Sequence, residues 1–319
     1  MRQRPFGKLG MVSALTLGGG GLGQVWGPTS REKCVATARD AVESGINLLD
    51  MAPTYGNGEA ESVIGEAFDG ALSAEVRVTT KCRVGATPPG QVYDLLSESL
   101  DGSLQRMKLE RVDVMFLHNA VTLGDGDGER LTRVAVVAEA VAPAFEKLIA
   151  EGRIGHWGLT GIGEADALIH LLNHGPCPNF IQCIANLLDS AGALPQGNAP
   201  QRPRDVIAAA NDSQAQVLGI RAVQAGALTD AMDRPLPDGH PELADFARAA
   251  AVRALAGAKG WRAAVLAPPE ARSMEGLATV VLGVKNRAEL RECVAAEEAG
   301  PLDPELMARI DAAVGVGKQ

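Results

Sequence analysis

The sequence predicts an α/β protein: a single-domain (β/α)8 barrel of the TIM type over residues 1–319, with an N-terminal hairpin and a short C-terminal closing helix. Three observations predict it. Short apolar runs alternate with helix-periodic segments along the whole chain. The runs are continuously apolar and β-branched rather than alternating, as in a parallel sheet covered by helices. There are eight of them, which fits a closed barrel better than an open sheet. The 319 residues are 46% hydrophobic, enough for one large core, and barrels of ~250 residues or more fold as one domain.

In chain order, RPFGKLGMVS can form a hairpin closing the barrel bottom. Strand-like runs follow at 13–19, 47–52, 76–81, 112–118, 154–160, 180–186, 216–223 and 278–284. Helical patterns lie between them at 31–45, 59–69, 90–107, 134–151, 163–173, 203–212, 242–258 and 287–298. Thr29 or Ser30 can cap the first helix, and Gly45 sits where a helix-terminating glycine belongs. A last helix at 303–314, after Pro301, is the closing element. The stretch 261–276 starts as a helix, but Pro268 and Pro269 interrupt it. A proline inside a helix costs ~3 kcal/mol, so the helix is expected to stop by Leu266 or Ala267. LGDGDGER (123–130) reads as a solvated loop, because it lacks the spacing and terminal glutamate of a calcium loop.

Composition excludes several functions. Net charge is −9 and no basic run stands out, so no nucleic-acid partner is expected. Aromatic residues make up only 3%, too few for base-stacking platforms. No run approaches the ~20 apolar residues of a membrane span, and MVSALTLGGGGLG is too short and glycine-rich for a signal segment. The five cysteines are odd in number and form no CxxC pair, which reads as reduced thiols in a cytoplasmic protein. The five histidines show no metal spacing. His170 and His174, four apart, read as surface histidines at a helix end, and no metal site is expected.

Three strands open onto four polar residues: Asp50 and Tyr55 in LLDMAPTYG, Lys81 in VRVTTK, His118 in VDVMFLH. Each has an ordinary reading: a turn acid, an exposed loop aromatic, a lysine snorkelling to solvent, a structural histidine. Parallel strands open at one rim, however, so all four can meet there. A tyrosine near pKa ~10 is a poor acid at pH 7. A neighbouring ammonium is expected to lower that value, a carboxylate to hold the ammonium, and an imidazole to orient a carbonyl oxygen. The phenol then protonates that oxygen while a hydride reaches carbon. No side chain supplies hydride, so a nicotinamide or flavin is implied. GGGGLG (18–23) contains no clean GxGxxG; it reads as a tight turn or as backbone open to a flat ligand, through Gly19 and Gly20.

The chain resembles the aldo-keto reductase family across nearly its whole length. The resemblance is carried by LGGGGLGQVWG, GINLLDMAPTYGNGEAESVIGEAF, VTTK, VDVMFLH, EKLIAEGRIGHWGLTG, FIQCIANLLD and VVLGVKNRAEL. The opening segment looks most like the sugar-dehydrogenase and broad-specificity bacterial branch. The resemblance implies a β/α barrel that interconverts carbonyls (aldehydes, ketones or aldoses) and alcohols with NADP(H), or less often NAD(H). The family's catalytic aspartate, tyrosine, lysine and histidine fall on Asp50, Tyr55, Lys81 and His118. Of the family's cofactor contacts, the carboxamide grip falls on Thr160 and Gln182, with Gly161 replacing a side-chain partner. The nicotinamide-stacking aromatic becomes Val223. Gln224, Gly226 and Leu228 lie where the pyrophosphate is embraced. Gly283, Lys285 and Asn286 lie beside the adenosine phosphate, and the final Glu-Asn pair becomes Glu292 and Cys293. Lys285 or Arg287 pairing with a 2′-phosphate favours NADP(H). Trp26 reads either as an aromatic wall for substrate beside Tyr55 and His118 or as a packed loop tryptophan. The family also includes potassium-channel β subunits, so a cofactor-binding regulatory barrel with little turnover is the alternative expectation. Oligomeric state is open.

Overall fold

The protein is described by a computed structural model covering residues 1–124, 129–194, 202–232, 234–266 and 274–314. Twelve strands occur in the described residues. In order they are β1 (Gln3–Pro5), β2 (Met11–Ser13), β3 (Leu15–Gly18), β4 (Leu48–Asp50), β5 (Arg77–Cys82) and β6 (Val112–Leu117), then β7 (Ala120–Thr122), β8 (Leu131–Arg133), β9 (Ile154–Gly161), β10 (Phe180–Ile184), β11 (Gln216–Ile220) and β12 (Leu277–Leu282). Eight of them close into a barrel in the order β10-β11-β12-β3-β4-β5-β6-β9, with every neighbouring pair parallel. Each coincides with one of the eight apolar runs. These residues form strands because both faces are buried: β3 and β10 are buried at every position.

The N-terminal hairpin is present as β1 and β2, pairing antiparallel from Gln3↔Ser13 to Pro5↔Met11. Its connecting turn carries Phe6 into the barrel floor. There Phe6, Leu9 and Val12 pack with Leu48, Val114, Phe116, Phe180 and Leu218, and the Phe6 and Phe180 rings lie 4.9 Å apart. The bottom is therefore sealed by apolar packing, and the polar strand ends open at the other rim.

The helices sit on the outside. Ser30 caps the Arg31–Glu43 helix by accepting from the Lys33 amide. The expected 134–151 helix is continuous in path but contains a π-turn at Val137–Val141 ahead of the Ala142–Ala150 segment. Pro143 accounts for it: lacking an N–H, it cannot serve the carbonyl one turn back, and the wider turn absorbs the defect. The expected 242–258 helix is divided into Pro241–Arg248 and Ala250–Ala258 at Ala249. The break serves two packings. The first half points Asp245 at the Gln224 amide. The second buries Val252 and Ala256 against Leu306, Ile310 and Val314 of the closing helix, Pro304–Val314. Around the 123–130 loop the structure adds β7 and β8, a small parallel pair absent from the sequence reading. Residues 125–128 of that loop, and Pro268 and Pro269, lie outside the described residues; helical backbone is described up to Leu266. All five cysteines are free thiols. No described helix is long and apolar enough to cross a membrane, and no metal-competent side-chain cluster occurs among the described residues.

Candidate active site

Asp50 ends β4 level with Thr79 of the adjacent β5, and Lys81 lies two residues further along β5 on the same face. Lys81 Nζ donates to Asp50 Oδ2 at 2.8 Å and to the Met51 carbonyl at 2.9 Å. The other carboxylate oxygen, Oδ1, accepts from Thr79 Oγ1 and from Gln182 Nε2, both at 2.7 Å. Lys81 is wholly buried and Asp50 is 2% exposed. A buried ion pair is tolerated only when its remaining hydrogen-bond positions are filled, as they are here.

Tyr55 stands above this pair. Lys81 Nζ lies 4.8 Å from the centre of its ring, and the ammonium's charge acts on the hydroxyl. His118, at the mouth of β6, meets the Tyr55 ring edge-on, with centroids 5.8 Å apart. Its Nδ1 is 3.3 Å from Thr54 Oγ1. The four residues predicted to converge do so.

Their electrostatics depart from expectation at one point. Burial pushes the Tyr55 phenol above its ordinary value of 10; Lys81 opposes this without overcoming it. Burial lowers the Lys81 ammonium, but Asp50 and Tyr55 together outweigh that and hold it above its ordinary 10.5. Burial, then the charges of Lys81 and Arg83, drive His118 well below 6.5. The pocket thus holds a protonated phenol, a charged lysine and a neutral imidazole at neutral pH.

Asp50, Tyr55 and His118 line a cavity of about 590 Å³ at the strand mouths, with Lys81 buried behind them. Gly19, Gly20, Trp26, Thr160, Gln182, Val223, Gly226, Gly283, Lys285 and Glu292 also line it. The glycine turn serves close approach: a Cβ at Gly20 would sit 2.7 Å from the Trp26 indole nitrogen, and one at Gly21 2.0 Å from the Val284 carbonyl. Thr160 Oγ1 is buried with no hydrogen-bond partner. Gln182 spends its N–H on Asp50, which leaves its carbonyl oxygen for a donor. At Gly161 a Cβ would lie 2.7 Å from the backbone carbonyl oxygen of Gln182, so the missing side chain follows from local packing. Lys285 Nζ donates to the Trp26 carbonyl at 2.9 Å.

Three predicted cofactor residues point their side chains elsewhere. Gln224 is buried, donating to Asp245 and accepting from Asn186 and Arg221. Leu228 belongs to the core under the closing helix. Asn286 caps the Arg287–Glu298 helix, accepting from the Ala288 and Glu289 amides at 3.0 Å. Glu292 faces the cavity but accepts from Arg262, which also bonds Asp230. Trp26 lies over Gly20 and Gly283, on the side assigned to the cofactor rather than beside His118. Cys293 is on the wall, its thiol pushed up to about 12 by burial.

The sequence reading missed two wall features. Arg83 and Arg130 both face the cavity; the signal was a second cation two residues past Lys81. The loop after β11 places Arg221, Gln224 and Ala225 at φ 59°, 45° and 49°, a left-handed conformation costing of order 1–3 kcal/mol at each non-glycine residue. The buried Gln224 network and the Arg221–Glu242 ion pair (2.8 Å) hold it. No glycine marks these three positions.

Comparison with known proteins now decides the family. The model of the aldo/keto reductase family matches residues 14–314. The chain belongs to the aldo/keto reductase family. It is an oxidoreductase of that family. It is 28% identical over 320 residues to the L-galactose dehydrogenase of Arabidopsis thaliana, covering 97% of this chain and 93% of that protein. It is 30% identical over 187 residues, about half of each chain (54%), to the NADH-specific methylglyoxal reductase of Escherichia coli K12. Among solved structures, the holo form of an aldo-keto reductase from Bacillus halodurans superposes with a TM-score of 0.73 at 22% identity, over 98% of this chain and 96% of that one. An aldo-keto reductase from Klebsiella pneumoniae in complex with NADPH superposes with a TM-score of 0.72 at 21% identity, over 100% and 98% of the two chains. At these identities the superpositions speak to the fold.

Proposed function

We propose that this aldo/keto reductase interconverts a small carbonyl compound, an aldehyde, ketone or aldose, with its alcohol, using NADP(H) in preference to NAD(H). The observation that carries the reading is the buried Asp50–Lys81 pair beneath Tyr55, with His118 beside it, on one cavity wall. The residues suit a nicotinamide: the orphaned Thr160 Oγ1 and the Gln182 carbonyl oxygen match a carboxamide, and Val223 supplies an apolar face. When bound, the nicotinamide supplies the hydride. Neutral His118 donates a hydrogen bond to the substrate oxygen and orients it. Tyr55 gives that oxygen its proton in reduction and takes it back in oxidation. Lys81 stabilises the phenolate left behind, and Asp50 fixes Lys81 in place. Lys285, just before the Arg287–Glu298 helix, and Arg287 at its start would pair with a 2′-phosphate, which would favour NADP(H).

Relatives named for L-galactose and methylglyoxal support a small sugar or carbonyl substrate. The NADPH-bound Klebsiella structure supports NADP(H), and the NADH-specific relative keeps NAD(H) as the competitor. Five free thiols suit a reducing compartment such as the cytoplasm. The test is cofactor oxidation with aldoses, methylglyoxal and simple aldehydes, NADPH and NADH run in parallel. Turnover with NADPH at higher kcat/KM than with NADH is expected. Tight NADPH binding with no turnover on any carbonyl would overturn the reading and favour a regulatory barrel.

A further inference from the structure

The wall opposite the proposed cofactor side carries two arginines that the reaction scheme leaves unused. Arg83 follows β5, two residues beyond Lys81. Its Nε is buried and has no hydrogen-bond partner. Its charge reaches both the Tyr55 hydroxyl and the His118 ring. Arg130, just before β8, faces the same cavity close enough to repel it. Among the described residues neither guanidinium forms an ion pair, and the acidic group that acts on Arg83 is exposed Glu129. A buried N–H donor without an acceptor is costly; Arg83 is otherwise half-buried, and the exposed Arg130 beside it adds repulsion. An anion seated between them relieves both.

The position of that anion follows from topology. In the closed strand order, β5 and β6 stand diametrically across the barrel from β11 and β12. Gly283 and Lys285, on the proposed cofactor side, follow β12. A phosphate of the cofactor held there does not account for Arg83. The Arg83 side adjoins Tyr55 and His118, where the carbonyl is to lie.

We propose that the substrate carries an oxyanion, a carboxylate or a phosphate, a few bonds from its carbonyl, and that Arg83 and Arg130 hold it while the carbonyl meets Tyr55 and His118. A guanidinium fork matches either oxyanion with paired hydrogen bonds. This rests on the carbonyl-reductase reading and narrows its substrate class.

The test compares matched pairs on the full chain with NADPH: succinic semialdehyde against its methyl ester, and glycolaldehyde phosphate against glycolaldehyde. The charged member is expected to have at least a tenfold higher kcat/KM, mostly through KM. The pair with the larger ratio tells carboxylate from phosphate. In Arg83→Gln the loss for the charged member should exceed that for its neutral partner by about 10- to 100-fold, with Arg83→Lys restoring part of the preference. Equal rates within both pairs, or equal losses in Arg83→Gln, would overturn the proposal while leaving carbonyl reduction intact. If no carbonyl is turned over, the reductase reading fails. Melting of the NADPH-loaded protein with succinate or inorganic phosphate then still decides on the anion site: protection of wild type beyond that of Arg83→Gln supports it, and equal protection refutes it. Arg130→Gln repeats the comparison should Arg83→Gln not fold.

Discussion

Replacing Lys81 by Met tests the buried pair beneath Tyr55. The substitution keeps the length and apolar stem of the side chain while removing its charge. Asp50 then remains buried, still accepting from Thr79 and Gln182 at 2.7 Å but without the cation at 2.8 Å. Breaking a buried pair on one side costs about 3–5 kcal/mol, and the two surviving donors place this case near 3 kcal/mol. An unfolding entropy of about 2.1 cal/mol/K per residue over 319 residues gives about 0.67 kcal/mol per degree. The midpoint should therefore fall by roughly 4–5 °C. Asp50→Leu strands the ammonium instead and should cost a similar amount. In the double variant neither charge is left alone, so its loss should fall short of the sum by about 2 kcal/mol or more. Equilibrium urea unfolding of the four proteins measures this coupling, with thermal melting as a second reading. Additive losses, or a Lys81→Met midpoint within a degree of wild type, would refute the claim that the two side chains form one buried unit.

Two further outcomes are expected. On the proposed mechanism, Tyr55 must carry its proton in reduction, and His118 must be neutral to orient the carbonyl without a charge. Because the phenol lies above 10 and the imidazole well below 6.5, kcat/KM for reduction should be flat from about pH 6.5 to 10 and fall above that as the phenol ionises. A descending limb with an apparent pKa near 7 would contradict this. Thr160→Val removes the orphaned hydroxyl assigned to the carboxamide and should weaken NADPH binding about tenfold, from one neutral hydrogen bond near the upper end of its usual worth. Titration of tryptophan fluorescence measures it, and unchanged affinity would show that the hydroxyl does not touch the cofactor.

The fold and the convergence of Asp50, Tyr55, Lys81 and His118 were legible in the sequence for one reason. Strands buried on both faces read as unbroken apolar runs, so a polar residue at the end of one, such as Lys81 or His118, marks the rim. The hairpin over RPFGKLGMVS was read from the sequence, but the burial of Phe6 in the barrel floor appears only in three dimensions. Side-chain direction was not legible where backbone geometry sets it. Gln224 faces the core because Arg221, Gln224 and Ala225 adopt positive φ without a glycine to announce it. Asn286 serves as a helix cap, a local competition that the family pattern does not show. The rise of the phenol was missed because an opposite charge is visible in a motif, whereas depth of burial appears only in three dimensions. Arg83 was missed because its significance lies in a partner it lacks.

The central claim is that the Tyr55 hydroxyl carries the proton of the reaction. The direct measurement is single-turnover reduction by Tyr55→Phe, with NADPH affinity determined on the same sample. A general acid is worth about 10²–10⁴-fold. The rate should fall by that factor while the NADPH dissociation constant stays within about threefold, since the phenyl ring remains in place. A rate within tenfold of wild type, with the cofactor bound as before, would contradict the account.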